Sequence, residues 1–128
     1  MITTNFAQSQ NLQEIGMPQN TYFGWYEKWR LRSMVEGEPR LIHHDLVLKI
    51  EEDEDCSLQL ICSSYSLEEL IECLGNEFGY LGKLVTLEGK EVFSAHSKRD
   101  EKGNYKGGIG ETPLLALTNL AFAVKGKK

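Results

Sequence analysis

The chain contains no long apolar run, and its first residues carry no targeting pattern. None of its 128 residues belongs to an uninterrupted apolar stretch of the length that a membrane-spanning helix needs. Residues 1–8 contain neither the basic region nor the apolar region of a secretory signal. We therefore expect a cytoplasmic protein that does not associate with a membrane.

Cysteine is scarce, and its spacing excludes the usual dithiol sites. The three cysteines, Cys56, Cys62 and Cys73, contain no C-x-x-C pair, so zinc ribbons and dithiol redox motifs are excluded. An odd count without a signal favours free thiols in a reducing compartment. Cys62 lies in an apolar segment and Cys73 near a predicted helix C-terminus, where the dipole disfavours a thiolate. We expect buried thiols and no nucleophilic catalysis.

An excess of positive charge is also missing. The 14 basic residues are outnumbered by 19 acidic ones, and the net charge is −5. This balance argues against non-specific nucleic-acid binding, which depends on displacing counterions with lysine and arginine. There is no P-loop and no glycine fingerprint in the dinucleotide-binding register, so no cofactor is expected. The length and the 41% hydrophobic content predict one domain, residues 1–128, with its own core.

The periodicity of apolar residues and the turn signals predict an α-β-β-β-α-β-β-α order. Two helix starts are well marked: Ser66 and Glu69 form a capping box, and Thr112 precedes a proline at the first helical position. We predict an α+β fold, an antiparallel sheet of four to five strands with two or three helices packed on it. The predicted helices cover 4–15, 67–74 and 113–124. The first predicted strand covers 21–29, with an extension to 34. The segments 41–51 and 57–63 are predicted to form a hairpin, with the acidic run 51–55 at its tip. Two further strands are predicted within 76–97, around a Glu88-Gly89 turn.

Residues 98–111 form the strongest candidate for a binding site. This predicted loop has a small surplus of positive charge, a tyrosine and several glycines, and it leads into the helix that begins after Thr112. Backbone N–H groups at a helix start attract anions, and aromatic rings stack on planar ligands. The alternative is a flexible surface loop. The predicted ligand-binding residues are Trp25, Lys98, Arg99, Tyr105, Lys106, Gly108 and Thr112.

A histidine-containing segment raises the question of a metal site. A facial site would combine His43 and Asp45 with a third ligand, for which His96 is the remaining candidate; the adjacent His44 would point to the opposite face of a strand. The same three residues are the basis of a hydrolase hypothesis. The alternative, a polar strand start, is favoured, and we expect no bound metal.

A second candidate surface combines the aromatic segment 22–29 with the acidic run 51–55. Five aromatic residues in eight exceed what one core face needs, and aromatic residues are enriched at interfaces. This surface favours an inhibitor that binds another protein. The alternative is a strand that is covered on both faces.

Three segments resemble a group of small proteins from phages and mobile elements. Residues 12–23 resemble the group's Leu-x-x-(Leu/Ile)-Gly-(Phe/Met)-Pro-Gln opening, which an aromatic strand follows. Residues 66–74 are similar to its mid-chain helix, and residues 112–124 to its closing helix, including that of phage proteins with an ABA-sandwich fold. The resemblance implies a phage or mobile-element accessory protein that acts in the cytoplasm of the host cell.

Together these observations predict a non-catalytic binding protein. Small phage accessory proteins often act against host defences by binding a component stoichiometrically, so the resemblance implies sequestration of a small anionic ligand such as a nucleotide immune signal. The alternative partner is a host protein, and a small hydrolase comes third. A homo-oligomer with a pocket between protomers stays open.

Overall fold

The computed structural model describes residues 2–30 and 35–126, and it has an α+β fold. No helix in these two ranges is long and apolar enough to cross a membrane. The helices are α1 (Phe6–Glu14), α2 (Val47–Glu54), α3 (Leu67–Leu74) and α4 (Pro113–Lys125). The strands are β1 (Phe23–Trp29), β2 (Arg40–His43), β3 (Ser57–Ser64), β4 (Phe78–Val85), β5 (Glu91–Ser97) and β6 (Gly107–Gly110).

The six strands form two antiparallel sheets of three, where the sequence predicts one sheet of four to five. The strand orders are β2-β1-β3 and β4-β5-β6. Side chains occupy the outer edge of β3: Gln13 donates to the carbonyl of Ile61 at 3.1 Å, and Gln19 accepts the N–H of Ser63 at 2.9 Å. These side chains satisfy backbone groups at the edge where a further strand would pair, and β4 belongs to the second sheet.

Residues 44–54 are helical, so the predicted hairpin of 41–51 with 57–63 is wrong. β2 ends at His43, and β3 pairs with β1 instead. Val47 and Ile50 pack against the buried cluster of Tyr26, Ile42 and Leu58, because a spacing of three places both on one helical face. The alternation of apolar residues that predicts a strand is therefore misleading.

The acidic run 51–55 is not a solvated hairpin tip. Glu51 accepts the N–H of Leu58 at 2.8 Å, and Glu54 forms ion pairs with Lys28 and with Arg40. The run therefore holds α2 against the first sheet. The predicted strand extension fails at Arg30, which lies outside β1, and its remaining residues, 31–34, are outside the described ranges.

Both helix starts that the sequence marks are confirmed. Ser66 accepts the N–H of Glu69, whose carboxylate accepts the N–H of Ser66, and the Thr112 hydroxyl accepts the N–H of Leu115. Helices α1, α3 and α4 contribute to one core on β5. Its fully buried members include Leu12, Leu70, Ala95, Leu117 and Leu120.

A buried polar network ties the N-terminal segment to the end of β3. Thr4 donates its N–H to the carbonyl of Tyr65 and accepts the N–H of Tyr65 on its hydroxyl. The Thr4 carbonyl accepts the Ser64 hydroxyl at 2.7 Å. The Tyr65 hydroxyl donates to the carbonyl of Pro18 at 2.6 Å, and burial raises its pKa. The network satisfies polar groups that would otherwise be costly to bury.

The cysteines are free, and burial raises the pKa of the Cys62 and Cys73 thiols. A raised pKa keeps both thiols protonated at neutral pH, which disfavours nucleophilic attack.

The predicted loop 98–111 contains a strand, β6, whose glycines allow α4 to pack directly on it. A Cβ atom on Gly108 would lie 2.4 Å from the backbone nitrogen of Leu120, and one on Gly110 would lie 2.7 Å from that of Ala116. These glycines therefore serve helix packing. Because α4 runs back along β6, its last turn lies at the start of this strand.

We predict that Gly108→Ala destabilises the protein by about 1–3 kcal/mol, because the new methyl group forces α4 away from β6. The free energy of unfolding from urea titration measures this cost. Gly107→Ala is the matched control, since its Cβ would approach nothing closer than 3.4 Å. Equal stability of the two variants would contradict the assigned helix–strand contact.

Candidate functional site

The connection between β5 and β6 is a closed hairpin built around Asp100. The carboxylate of Asp100 accepts the N–H groups of Lys102 at 2.8 Å and Asn104 at 2.9 Å, and its own N–H donates to the carbonyl of Asn104. At the base, the Ser97 N–H donates to the carbonyl of Lys106, whose N–H donates to the Ser97 hydroxyl. The hairpin therefore holds residues 98–106 in one defined conformation.

An open cavity of about 440 Å³ lies between this hairpin and the end of α4. Polar side chains dominate its wall, and α4 contributes one residue from its last turn. The lining residues are Asn76, Glu77, Ser97, Lys98, Asp100, Asn104, Tyr105, Lys106 and Val124.

The negative charges of the cavity wall are engaged, and its lysines are not. Glu77 forms an ion pair with Lys125 at 2.9 Å, and the Asp100 carboxylate is bound by backbone N–H groups. Among the residues that the structure describes, neither Lys98 nor Lys106 forms an ion pair with a carboxylate. Backbone N–H groups bind the Asp100 carboxylate without cancelling its charge, so among the described residues two lysine charges at the cavity stand against one carboxylate charge outside any ion pair.

Tyr105 belongs to a row of aromatic rings on the open face of the second sheet. Its ring centroid lies 4.6 Å from that of His96, which in turn stacks on Tyr80 at 5.2 Å. The Arg99 guanidinium lies 4.6 Å from the Tyr105 centroid and donates to the carbonyl of Gly103 at 2.8 Å. Tyr105 is 48% exposed as a residue, and both Arg99 and His96 contact its ring.

Sequence reasoning missed Tyr80 and His96 as neighbours of this site. The two residues are cross-strand partners in β4 and β5, and they point to the face opposite α4. The Glu88-Gly89 turn that joins these strands was visible in the sequence. Pairing the strands outward from it would have brought the two rings together, since antiparallel partners share a face.

Gly108 and Thr112 do not join the hairpin residues. Gly108 is buried under α4, and the Thr112 hydroxyl caps α4. The start of α4 lies at the far end of β6 from the hairpin, and the cavity contacts its last turn through Val124. The helix dipole at the cavity is therefore that of a C-terminus, contrary to the expectation that a helix start supplies N–H donors.

Trp25 has a structural position on the other sheet. Its indole N–H donates to the carbonyl of Thr4 at 3.3 Å and to the Ser9 hydroxyl at 3.2 Å, and its ring packs edge-on against Phe6. These contacts anchor the segment before α1 and the start of that helix. Of the two residues predicted as alternatives for stacking on the ligand, Trp25 or Tyr105, Trp25 finds no support in this placement.

The residues of the hydrolase hypothesis lie on different sheets. His43, at the end of β2, accepts the N–H of Asp45 and contacts Phe23 edge-on, while His96 lies in β5 between two tyrosines. Within residues 2–30 and 35–126, no group of three histidine, cysteine or acidic residues is placed to hold a metal ion.

Comparison with known protein families, with curated proteins and with solved structures finds no match to this chain. The site is therefore interpreted from its geometry and charge alone.

We predict that Trp25→Phe lowers the free energy of unfolding by about 1–3 kcal/mol, because it removes the indole donor and part of the ring. Urea titration measures this loss. The variant keeps the ligand affinity of the parent, since Trp25 contacts α1 and not the hairpin. If Trp25→Phe lost ligand binding while its stability stayed unchanged, Trp25 would have to be assigned to the binding site.

Proposed function

We propose that this protein binds a small anionic ligand with a planar ring in the cavity between the β5–β6 hairpin and the end of α4. The observation that carries this proposal is the pair of lysines, Lys98 and Lys106, whose charges have no carboxylate partner among the described residues. An anion that enters the cavity can contact both lysines without displacing an ion pair formed by the described residues, and the two lysine charges outnumber the single Asp100 charge.

The neighbouring aromatic residues favour a ligand that combines the anion with a ring. Tyr105 lines the same cavity as the lysines, and the row formed with His96 and Tyr80 continues its surface. Stacking on such a surface suits a nucleobase, and the lysines suit a phosphate. Nucleotides and nucleotide-derived signals combine both groups.

Arg99 adds a further positive group at the rim of this cavity. One of its N–H groups donates to the carbonyl of Gly103, and the guanidinium covers part of the Tyr105 ring. Its other N–H donors stay available for a phosphate, because a guanidinium carries five. Arg99 would therefore contact the anion while Tyr105 contacts the ring.

The proposed role is sequestration without catalysis. Lysine, arginine and tyrosine supply charge and stacking, and the site lacks a paired nucleophile and base. A counter-defence role as a phage accessory protein rests on the sequence resemblance, and it would place such a ligand among nucleotide immune signals.

Inhibition of a host protein is a weaker alternative, because its predicted contact surface is dispersed. Glu51 and Glu54 of the acidic run bind β3 and the first sheet, and Trp25 is engaged with α1. The exposed part of the aromatic segment is Tyr22, which is 62% exposed and stacks on His43.

We predict that Lys98→Ala combined with Lys106→Ala weakens the binding of a nucleotide ligand at least tenfold, or about 1.4 kcal/mol. Isothermal titration calorimetry against cyclic nucleotides and ADP-ribose derivatives measures the affinity. The melting temperature should stay nearly constant, since both side chains are exposed and form no ion pair with any residue that the structure describes.

The matched control is Lys49→Ala combined with Lys102→Ala, which removes the same charge outside the cavity. If both double variants weaken binding equally, the loss of affinity comes from the removal of positive charge and not from contacts in the cavity. If no member of the panel binds, and a host protein co-purifies through the surface that includes Tyr22, the inhibitor hypothesis replaces this proposal.

A further inference from the structure

The outer edge of β4 differs from the outer edge of β3. At β3, the side chains of Gln13, Gln19 and Glu51 bond to backbone groups of Ile61, Ser63 and Leu58. At β4, an eight-residue strand that pairs with β5 alone, no comparable bond is present within the described part of the chain. Side chains therefore occupy the β3 edge of the first sheet, whereas the β4 edge of the second sheet is open.

The hydrogen-bond register identifies the backbone groups that point outward. Thr86 donates its N–H to the carbonyl of Lys90 on the β5 side at 2.8 Å. Because alternate residues of an antiparallel strand bond to the same side, Gly82 and Leu84 also face β5. The N–H and C=O groups of Leu81, Lys83 and Val85 therefore face away from the sheet.

The side chains at this edge are apolar and exposed. Tyr80, Leu84 and Val85 are 53%, 42% and 61% exposed, and Leu87, just beyond the strand, is fully exposed. The single charged residue of β4 is Lys83, whose amine lies 3.5 Å from Glu91 of β5. Native edges are usually protected by charge, bulges or a covering segment, so an edge of this kind favours pairing with another strand.

We propose that β4 pairs antiparallel with β4 of a second copy of this chain, around a two-fold axis at Gly82. A two-fold axis makes the edge its own complement, so the outward N–H and C=O groups of Leu81 meet those of Lys83 of the second copy. This register places Lys83 opposite Leu81 of the second copy. An axis at Lys83 would place Lys83 directly opposite Lys83 of the second copy, and the repulsion between these two positive charges disfavours it.

The same register places Tyr80 opposite Leu84 of the second copy, on the open face of the sheet. Aromatic and aliphatic cross-strand pairs stabilise a sheet. Because Tyr80 is the last ring of the row that begins at Tyr105, the second copy would cover the free end of that row. The two copies form a six-stranded sheet of order β6-β5-β4-β4-β5-β6.

The first test measures the molar mass in solution by sedimentation equilibrium. We expect a dimer for the parent and for Lys83→Ala, and a monomer for Lys83→Pro. Proline removes the outward N–H of Lys83, which the proposed register bonds to Leu81 of the second copy, and no β4–β5 bond, and it is tolerated where the N–H faces solvent. A monomeric parent or a dimeric Lys83→Pro variant would overturn the proposal.

The second test reports the register and does not depend on proline. It uses Tyr80→Cys combined with Leu84→Cys, with the partly exposed native cysteines replaced by serine. Directly opposed positions of a non-hydrogen-bonded pair are close enough for a disulfide, so oxidation should link two chains covalently. Leu84→Cys alone should not form this link, because its partner position is Tyr80. Linking by the single variant, or no linking by the double variant, would refute an axis at Gly82.

Discussion

The direct contact of α4 with β6 sets the geometry of the second half of the molecule. Gly108 and Gly110 remove the side chains that normally separate a helix from a sheet, so the helix backbone lies against the strand. This close approach buries Leu117 and Leu120 against Ala95 and fixes the direction in which α4 runs. The proposed ligand cavity follows from it, since the last turn of α4 forms one wall and the β5–β6 hairpin the other.

Much of the fold could be predicted where a local signal carries its own physical cause. The capping box of Ser66 with Glu69 and the Thr112-Pro113 start fix two helices through hydrogen bonds within a few residues. Gly89, with a φ of 86°, marks the turn between β4 and β5. The class, α+β, follows from these elements. The division into two sheets depends on long-range bonds such as Gln13 to Ile61, which no local pattern reveals.

The predictions that were wrong also failed because local patterns do not report long-range contacts. Leu46, Leu48 and Ile50 share one face of a strand, yet Val47 and Ile50 also share a helical face, and packing on the buried cluster of the first sheet accompanies the helix. At the site, Lys98, Tyr105 and Lys106, which the sequence groups in one segment, line one cavity because they are neighbours in one hairpin. The sequence also groups Gly108 and Thr112 with them. Gly108 and Thr112 lie away from the cavity because β6 and α4 lead the chain away from the hairpin. Their closeness to Lys106 in the sequence does not show this.

The pairing of Thr4 with Tyr65 has a consequence for the order of folding. The two residues are 61 positions apart, and closing so long a loop costs conformational entropy before any contact offsets it. The segment before α1 should therefore dock late, after β3 and α3 have formed its receptor. The same entropy favours its release in partial opening. Amide hydrogens of Thr4 and Tyr65 would then exchange with solvent sooner than those of the β1–β3 ladder, although both lie in the interior.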